Sequence, residues 1–298
     1  MFLKITRFIA ALFIGALLVG CGNQSPTITL LVIPTSTPAL PTQTPSPTPL
    51  PAKATVNGEV ISQAEFDAEL ARYKAAQTEL GKTVSDGDAS KTVLDDLIAQ
   101  VLLAQGAKQA GFVVDDATLQ ARIDKLAGEV GGGDALDKWQ ADHGYTPDSF
   151  REALRRQIAA AWMRDQITGQ VSKSKDQVHA RQILLYNEDR ARQVLADIQA
   201  GRTDFDEFAA LVDPVSGGDL GWFPHGYLPE KAIEQAAFAL QPGQISDVIA
   251  TDLGFHIIKV IERENRPLSP DALLVLQSNA VQDWVAQQRI QSKIDIVP

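Results

Sequence analysis

Eight prolines fall between positions 26 and 51: Pro26, Pro34, Pro38, Pro41, Pro45, Pro47, Pro49 and Pro51, alternating with Thr and Ser. Such a stretch cannot bury enough apolar surface to offset the entropy of ordering its backbone, and each proline removes an amide donor. It reads as an extended, semi-rigid tether, reaching about 80 Å at ~3.1 Å per residue. The 298-residue chain is thereby split into a short N-terminal piece and a folded portion from about residue 55.

The N-terminal piece reads as a signal peptide over residues 1–20. Lys4 and Arg7 give a basic start, and residues 9–19 form an apolar run short for a membrane span. The run ends in Leu18-Val19-Gly20-Cys21, which resembles the bacterial lipobox. That resemblance implies acylation of the Cys21 thiol, so that residues 21–54 are a lipidated Cys and its tether. Each buried CH2 of an acyl chain contributes roughly 0.8 kcal/mol, and several chains give stable attachment. The expected location is the extracytoplasmic face of a membrane. Cys21 is the only cysteine, which excludes an internal disulfide and a Cys-based metal site.

The formal net charge is −10, and removal of Lys4 and Arg7 with the leader takes it to −12. That balance argues against nucleic acid as a partner, because phosphate binding needs clustered cations. His143 and His225 lack metal-ligand spacing and read as surface or loop residues, so no metal site is expected.

Two kinds of periodicity follow. Val56-Asn57-Gly58-Glu59 reads as a tight hairpin turn. Ser62-Gln63-Ala64-Glu65 has capping-box spacing before a helix with Phe66, Leu70 and Tyr73 on one face. A second helix is predicted over about 89–110, with Gly111 as its stop. Asp115 or Asp116 opens a third, and Leu136 with Trp139 marks a short fourth. Thr146-Pro147 opens a long helix with Phe150, Leu154, Ile158 and Trp162 on one side.

Residues 178–262 differ. Strand-like runs at 178–185, 220–223, 245–248 and 255–262 interleave with helical runs at 189–200, 205–211 and 230–240. That is an α+β unit of about 85 residues. Ser269-Pro270 then opens one more amphipathic helix, and residues 294–297 suggest a terminal strand. A lone amphipathic helix is marginal in water, so this one is expected to pack back on the N-terminal helices.

Within the α+β unit, Gly217-Gly218-Asp219-Leu220-Gly221-Trp222-Phe223 resembles the signature loop of parvulin-type peptidyl-prolyl isomerases. Ala237-Phe238-Ala239-Leu240-Gln241-Pro242-Gly243-Gln244-Ile245-Ser246 follows at the family's spacing, and Gly254-Phe255-His256-Ile257-Ile258-Lys259-Val260 matches its closing strand. The flanking segments, with Val56-Asn57-Gly58-Glu59-Val60-Ile61-Ser62 and Tyr145-Thr146-Pro147, look like the chaperone domain of the SurA and PrsA foldases. The resemblance implies an α+β architecture: a helical chaperone domain over 55–173, a four-stranded parvulin-like domain of the FKBP-like superfold over 174–264, and residues 265–298 packing on the chaperone domain.

The same resemblance implies the site. Leu220, Phe223, Leu228 and Ile233, with Phe238 behind them, form an apolar slot for a prolyl ring. Leu228 and Ile233 stand where the family usually has Met and Phe. His256 matches the family's second active-site histidine. The family's first-strand Arg-His-Ile-Leu is here Arg181-Gln182-Ile183-Leu184, so Gln182, which cannot titrate, replaces the first histidine. The acidic stretch is shortened to Val212-Asp213-Pro214-Val215-Ser216, leaving Asp213 and Ser216 as the candidates there. His179 could supply the missing imidazole, but positions 179 and 182 differ by an odd number and should face opposite sides of a strand.

The implied reaction, rotation about an Xaa-Pro bond, breaks no covalent bond and needs no cofactor. Three functions remain open at this point. The first is a working isomerase and foldase for unfolded or partly folded exported polypeptides. The second is a holdase that uses the parvulin module only to grip Pro-containing segments, favoured by Gln182 and the shortened loop. The third is a tethered scaffold with one partner, which no residue specifically supports.

Overall fold

A computed structural model describes residues 51–297. The signal peptide, Cys21 and nearly all of the tether lie outside the described residues. Among the described residues no helix is long and apolar enough to cross a membrane.

The chain opens with a hairpin, β1 (Ala52–Val56) and β2 (Glu59–Ser62). Its turn residues Asn57 and Gly58 both have positive φ, as a two-residue hairpin requires. Five helices follow: α1 (Gln63–Glu79), α2 (Asp86–Gln109), α3 (Asp116–Val130), α4 (Gly133–Asp142) and α5 (Pro147–Gly169). Ser62 caps α1 by accepting the Glu65 N–H at 3.1 Å, but the Glu65 carboxylate pairs with Arg156 of α5. Half of the expected capping box is therefore used to hold α1 against α5. Asp115 caps α3, and Thr146 with Ser149 forms a complete capping box on α5.

The second layer starts with the long strand β3 (Ser174–Leu185), then α6 (Glu188–Gln199), α7 (Phe205–Val212), β4 (Asp219–Pro224), α8 (Lys231–Ala239), β5 (Ile249–Thr251) and β6 (Gly254–Pro267). The sheet is antiparallel, in the order β4-β3-β6-β5. Residues 245–248, expected to be a strand, contribute only a bridge from Ile245 to Lys259; the edge strand begins at Ile249. One face of the sheet packs Ile183 and Ile257 against Val194, Leu195, Phe205 and Ala209 of α6 and α7. The other packs Val178, Ala180, Phe223, Ile258 and Val260 against Ile233, Ala237 and Phe238 of α8.

The last elements are α9 (Pro270–Gln291) and β7 (Ile294–Ile296). Strand β7 pairs with β1, completing a three-stranded sheet from residues some 240 positions apart, as in Thr55 opposite Asp295. Helix α9 presents Ala280, Val281, Trp284 and Val285 to Leu103, Ala160 and Ile167 of α2 and α5. Gly106 makes room for the indole: a Cβ there would lie 2.5 Å from Trp284 Cη2. Ser269 caps α9, with Pro270 in its first turn.

Candidate active site

The site occupies the α8 face of the four-stranded sheet. Strand β3 keeps strict alternation, so Ala180 and Gln182 share this face. On β6, His256, Ile258 and Val260 share it. Gln182 lies opposite Ile258 and Leu184 opposite His256, which puts Gln182 and His256 on a diagonal within side-chain reach.

His256 is 1% exposed. Its Nδ1 lies 2.9 Å from Gln182 Oε1, and its Nε2 lies 2.9 Å from Thr251 Oγ1. An amide oxygen only accepts, so Nδ1 carries the proton and donates to Gln182. Nε2 is left to accept from the Thr251 hydroxyl, whose oxygen in turn accepts the Leu253 N–H at 3.1 Å. Burial holds the imidazole pKa below its ordinary value, and the Glu230 carboxylate opposes this to a lesser degree. A neutral ring of fixed tautomer therefore stands at the base of the face.

Apolar residues surround it. Phe223 is fully buried, Ile233 and Phe238 nearly so, and Leu220 and Leu228 are partly exposed at the surface of the same cluster. Phe223 and Phe238 meet edge to face, with centroids 6.1 Å apart. Leu220 and Phe223 are separated by an odd number of residues, so a regular strand would send them to opposite faces. A β-bulge resolves this: Ala180 pairs with Gly221 and Arg181 with Asp219, leaving Leu220 as the extra residue. Gly221, at φ +66°, accommodates the bulge.

Asp213 and Ser216 lie in the loop after α7. The Asp213 carboxylate accepts the Ser216 hydroxyl and the N–H groups of Val215 (3.2 Å), Ser216 (3.2 Å) and Gly218 (3.3 Å). These donors, the Ser216 hydroxyl foremost, hold its pKa below the usual carboxylate value. The side-chain hydrogen bonds of Asp213 and Ser216 stay within this loop, whereas the Gln182 side chain bonds His256. The loop instead touches the site through its backbone, where the Gln182 N–H donates to the Gly218 carbonyl at 2.8 Å. Gly218 has φ +72°, and a Cβ on it would lie 2.0 Å from the Gln182 carbonyl oxygen.

His179 bonds Asp219 at 2.8 Å and stacks on Trp222 at 5.4 Å. It lies away from Gln182 on β3, as the alternation requires, and does not replace the missing imidazole.

Two contributors were not identified from the sequence. Thr251 is recognisable only once β5 is paired with β6. Glu234, 8% exposed on α8, accepts the N–H groups of Gly226, Tyr227 and Leu228 at 2.8, 3.0 and 3.1 Å. The available signal for Glu234 was a carboxylate on the same helical stripe as Ala237 and Phe238.

The PPIC-type PPIase domain matches residues 170–262, and the SurA-like N-terminal domain matches residues 38–164. A foldase protein PrsA from a Geobacillus species is 31% identical over 69% of this chain and 75% of its own length. A chaperone SurA from Alkalilimnicola ehrlichii is 26% identical over 81% of this chain; the chain spans 65% of that protein's length. The crystal structure of PrsA from Bacillus anthracis superposes with a TM-score of 0.43 at 22% identity, over 66% of this chain and 96% of that one.

Proposed function

The chain belongs to the PrsA/SurA foldase family and carries a parvulin-type peptidyl-prolyl isomerase domain, and we propose that it catalyses cis/trans isomerisation of Xaa-Pro bonds in unfolded or partly folded exported polypeptides. The observation that carries this reading is the neutral His256, fixed between Gln182 and Thr251 beneath Leu220, Phe223 and Leu228.

Rotation about a prolyl peptide bond faces ~18–20 kcal/mol and takes tens to hundreds of seconds unaided. The twisted amide is less polar than the planar one, so an apolar, water-poor surface favours it. In the proposed mechanism the ring seats against Leu220, Phe223 and Leu228, backed by Ile233 and Phe238. Gln182, His256 and Thr251 form a net-neutral hydrogen-bonded base that leaves no unpaired charge under the ring. Asp213 and Ser216 act through the backbone, by shaping the loop that Gly218 seats against Gln182.

In this reading residues 52–173 and 268–298 form the client-holding body and residues 174–267 the isomerase module; the expected boundaries at 55 and 264 move because β1 begins at Ala52 and β6 stays paired with β3 as far as Pro267. Acylation of Cys21 and the tether that follows it place both at the extracytoplasmic face of the membrane; the tether ends by Pro51, not at residue 54, because Ala52–Ala54 already pair in strand β1. Support for the anchor comes from the lipobox-like run before Cys21 alone. Radiolabelled fatty acid incorporated by the wild-type chain and not by Cys21→Ser would bear it out; equal labelling would remove it.

A second reading, a holdase with a weak or silent isomerase, is favoured by Gln182 and by a cavity of about 280 Å³ between α1 and α2, where Tyr73, Val93 and Leu97 meet Glu69 and Asp96. Exchange between the cis and trans resonances of a short Xaa-Pro peptide, measured by NMR with substoichiometric protein, separates the two. Exchange faster than the uncatalysed rate supports the isomerase. Uncatalysed exchange, with aggregation of an unfolded client still suppressed, leaves the holdase.

A further inference from the structure

The loop over residues 225–230 links β4 to α8 and carries Leu228, a partly exposed wall of the slot. One peptide unit of this loop is held from two directions. In that unit, Gly226–Tyr227, Glu234 of the isomerase module accepts the Tyr227 N–H at 3.0 Å, and it also accepts the N–H groups of Gly226 and Leu228 on either side at 2.8 and 3.1 Å. From outside the module, Asn279 of α9 donates through Nδ2 to the Gly226 carbonyl at 2.7 Å. Leu276, one turn before Asn279 and buried, lies against the same glycine: a Cβ on Gly226 would be 3.2 Å from Leu276 Cδ2.

Helix α9 is the element whose Trp284 and Val285 fill the core of the helical body. Asn279 and Leu276 stand one to two turns before those residues on the same helix. The slot wall is thus bonded to a helix whose own placement is fixed by packing elsewhere.

We infer that Asn279 is a positioning residue for the isomerase reaction, holding Leu228 and hence the width of the prolyl slot from outside the catalytic module. The inference rests on the isomerase reading only for what the slot binds. The physical case is local. Gly226 has φ +85° and carries no Cβ, so side-chain sterics do little to fix its peptide plane. Glu234 restrains only the N–H side, and Asn279 supplies the bond on the carbonyl side. Without that donor the carbonyl turns to water, and the planar 226–227 peptide keeps only the Tyr227 N–H bond to Glu234, about which it can tilt and shift Leu228 in the next peptide. Misplacement of a positioning group by about 1 Å can lower efficiency up to a hundredfold. With three amide bonds to Glu234 still in place, we expect about tenfold.

The test uses the full chain with Asn279→Ala and the near-isosteric Asn279→Asp, which has no side-chain donor. Four quantities are read: the affinity for a short Xaa-Pro peptide, KM, kcat, and hydrogen exchange at the amides of residues 226–228. The expected result is about tenfold weaker peptide binding and higher KM, with kcat within about twofold. Exchange at 226–228 should be faster, with the amides of α9 itself unchanged. Wild-type binding and wild-type exchange at 226–228 in both folded variants would overturn the inference, as would faster exchange without any loss of peptide affinity. A wild-type chain that binds the peptide but does not isomerise it would remove the isomerase reading, while binding and exchange would still decide the role of Asn279.

Discussion

His256 donates its Nδ1 proton to the Gln182 side-chain oxygen across 2.9 Å, joining two central strands of the sheet at the base of the apolar face. Where a second imidazole would titrate, the amide does not. Gln182→Ala leaves the buried Nδ1 proton without an acceptor, at a cost of about 1–3 kcal/mol. The ring is then free to turn, and kcat/KM is expected to fall about tenfold. Gln182→His is expected to remain active and to acquire a pH dependence between about 5 and 7, where imidazoles titrate. A pH profile of kcat/KM with the same shape for wild type and Gln182→His would contradict this account of the pair.

The same buried imidazole predicts how stability responds to acid. Burial places the folded pKa of His256 below its ordinary 6.5. The unfolded chain then binds this proton at a pH where the folded chain does not. Stability from this group is complete above the unfolded pKa and is lost as pH falls through 6.5 toward the folded value. Urea midpoints at pH 7.5 and 5.5 should differ more for wild type than for His256→Asn. Equal differences would mean that the ring is not held neutral.

Asp213 titrates in a lower window. Its carboxylate is stabilised by the Ser216 hydroxyl and by loop N–H groups, so its folded pKa is depressed. Its contribution is present above the unfolded pKa and is lost as pH falls through the folded value, below the ordinary 3.8. At neutral pH, Asp213→Ala should loosen the loop and reduce kcat/KM while moving the thermal midpoint little. A thermal midpoint displaced as far as in a core variant would show that the loop has a wider structural role.

Packing of α9 on the helical body is tested at Gly106. Gly106→Ala places a methyl 2.5 Å from the Trp284 ring, and overpacking of this kind costs about 1–3 kcal/mol. Trp284→Leu in the same chain should recover part of that loss. Denaturant unfolding of the two single variants and the double variant checks the coupling; strict additivity would argue against the contact.

What the sequence made legible depends on the range of the signals involved. Capping residues, turn glycines and apolar periodicity are local, and Ser62, Asn57-Gly58, Thr146-Pro147 and Ser269-Pro270 mark element ends accordingly. The parvulin-like motifs placed His256 and Gln182 in one site, and the strands bring them together. Non-local features were hidden. The position of Leu220 depends on a bulge defined by its partner strand, and Thr251 joins His256 through a pairing that the sequence placed at 245–248 instead. The pairing of β7 with β1 and the bond from Asn279 to Gly226 link residues far apart in the chain, and no periodicity encodes such contacts.

The most direct measurement is a protease-coupled isomerase assay on a short Xaa-Pro peptide, comparing the wild-type chain with His256→Ala. The account predicts catalysis well above the uncatalysed rate for the wild type. It predicts a loss of about tenfold or more in kcat/KM for the variant, with both proteins equally able to keep an unfolded client from aggregating. Equal turnover by the two proteins, or none by the wild type, would contradict it.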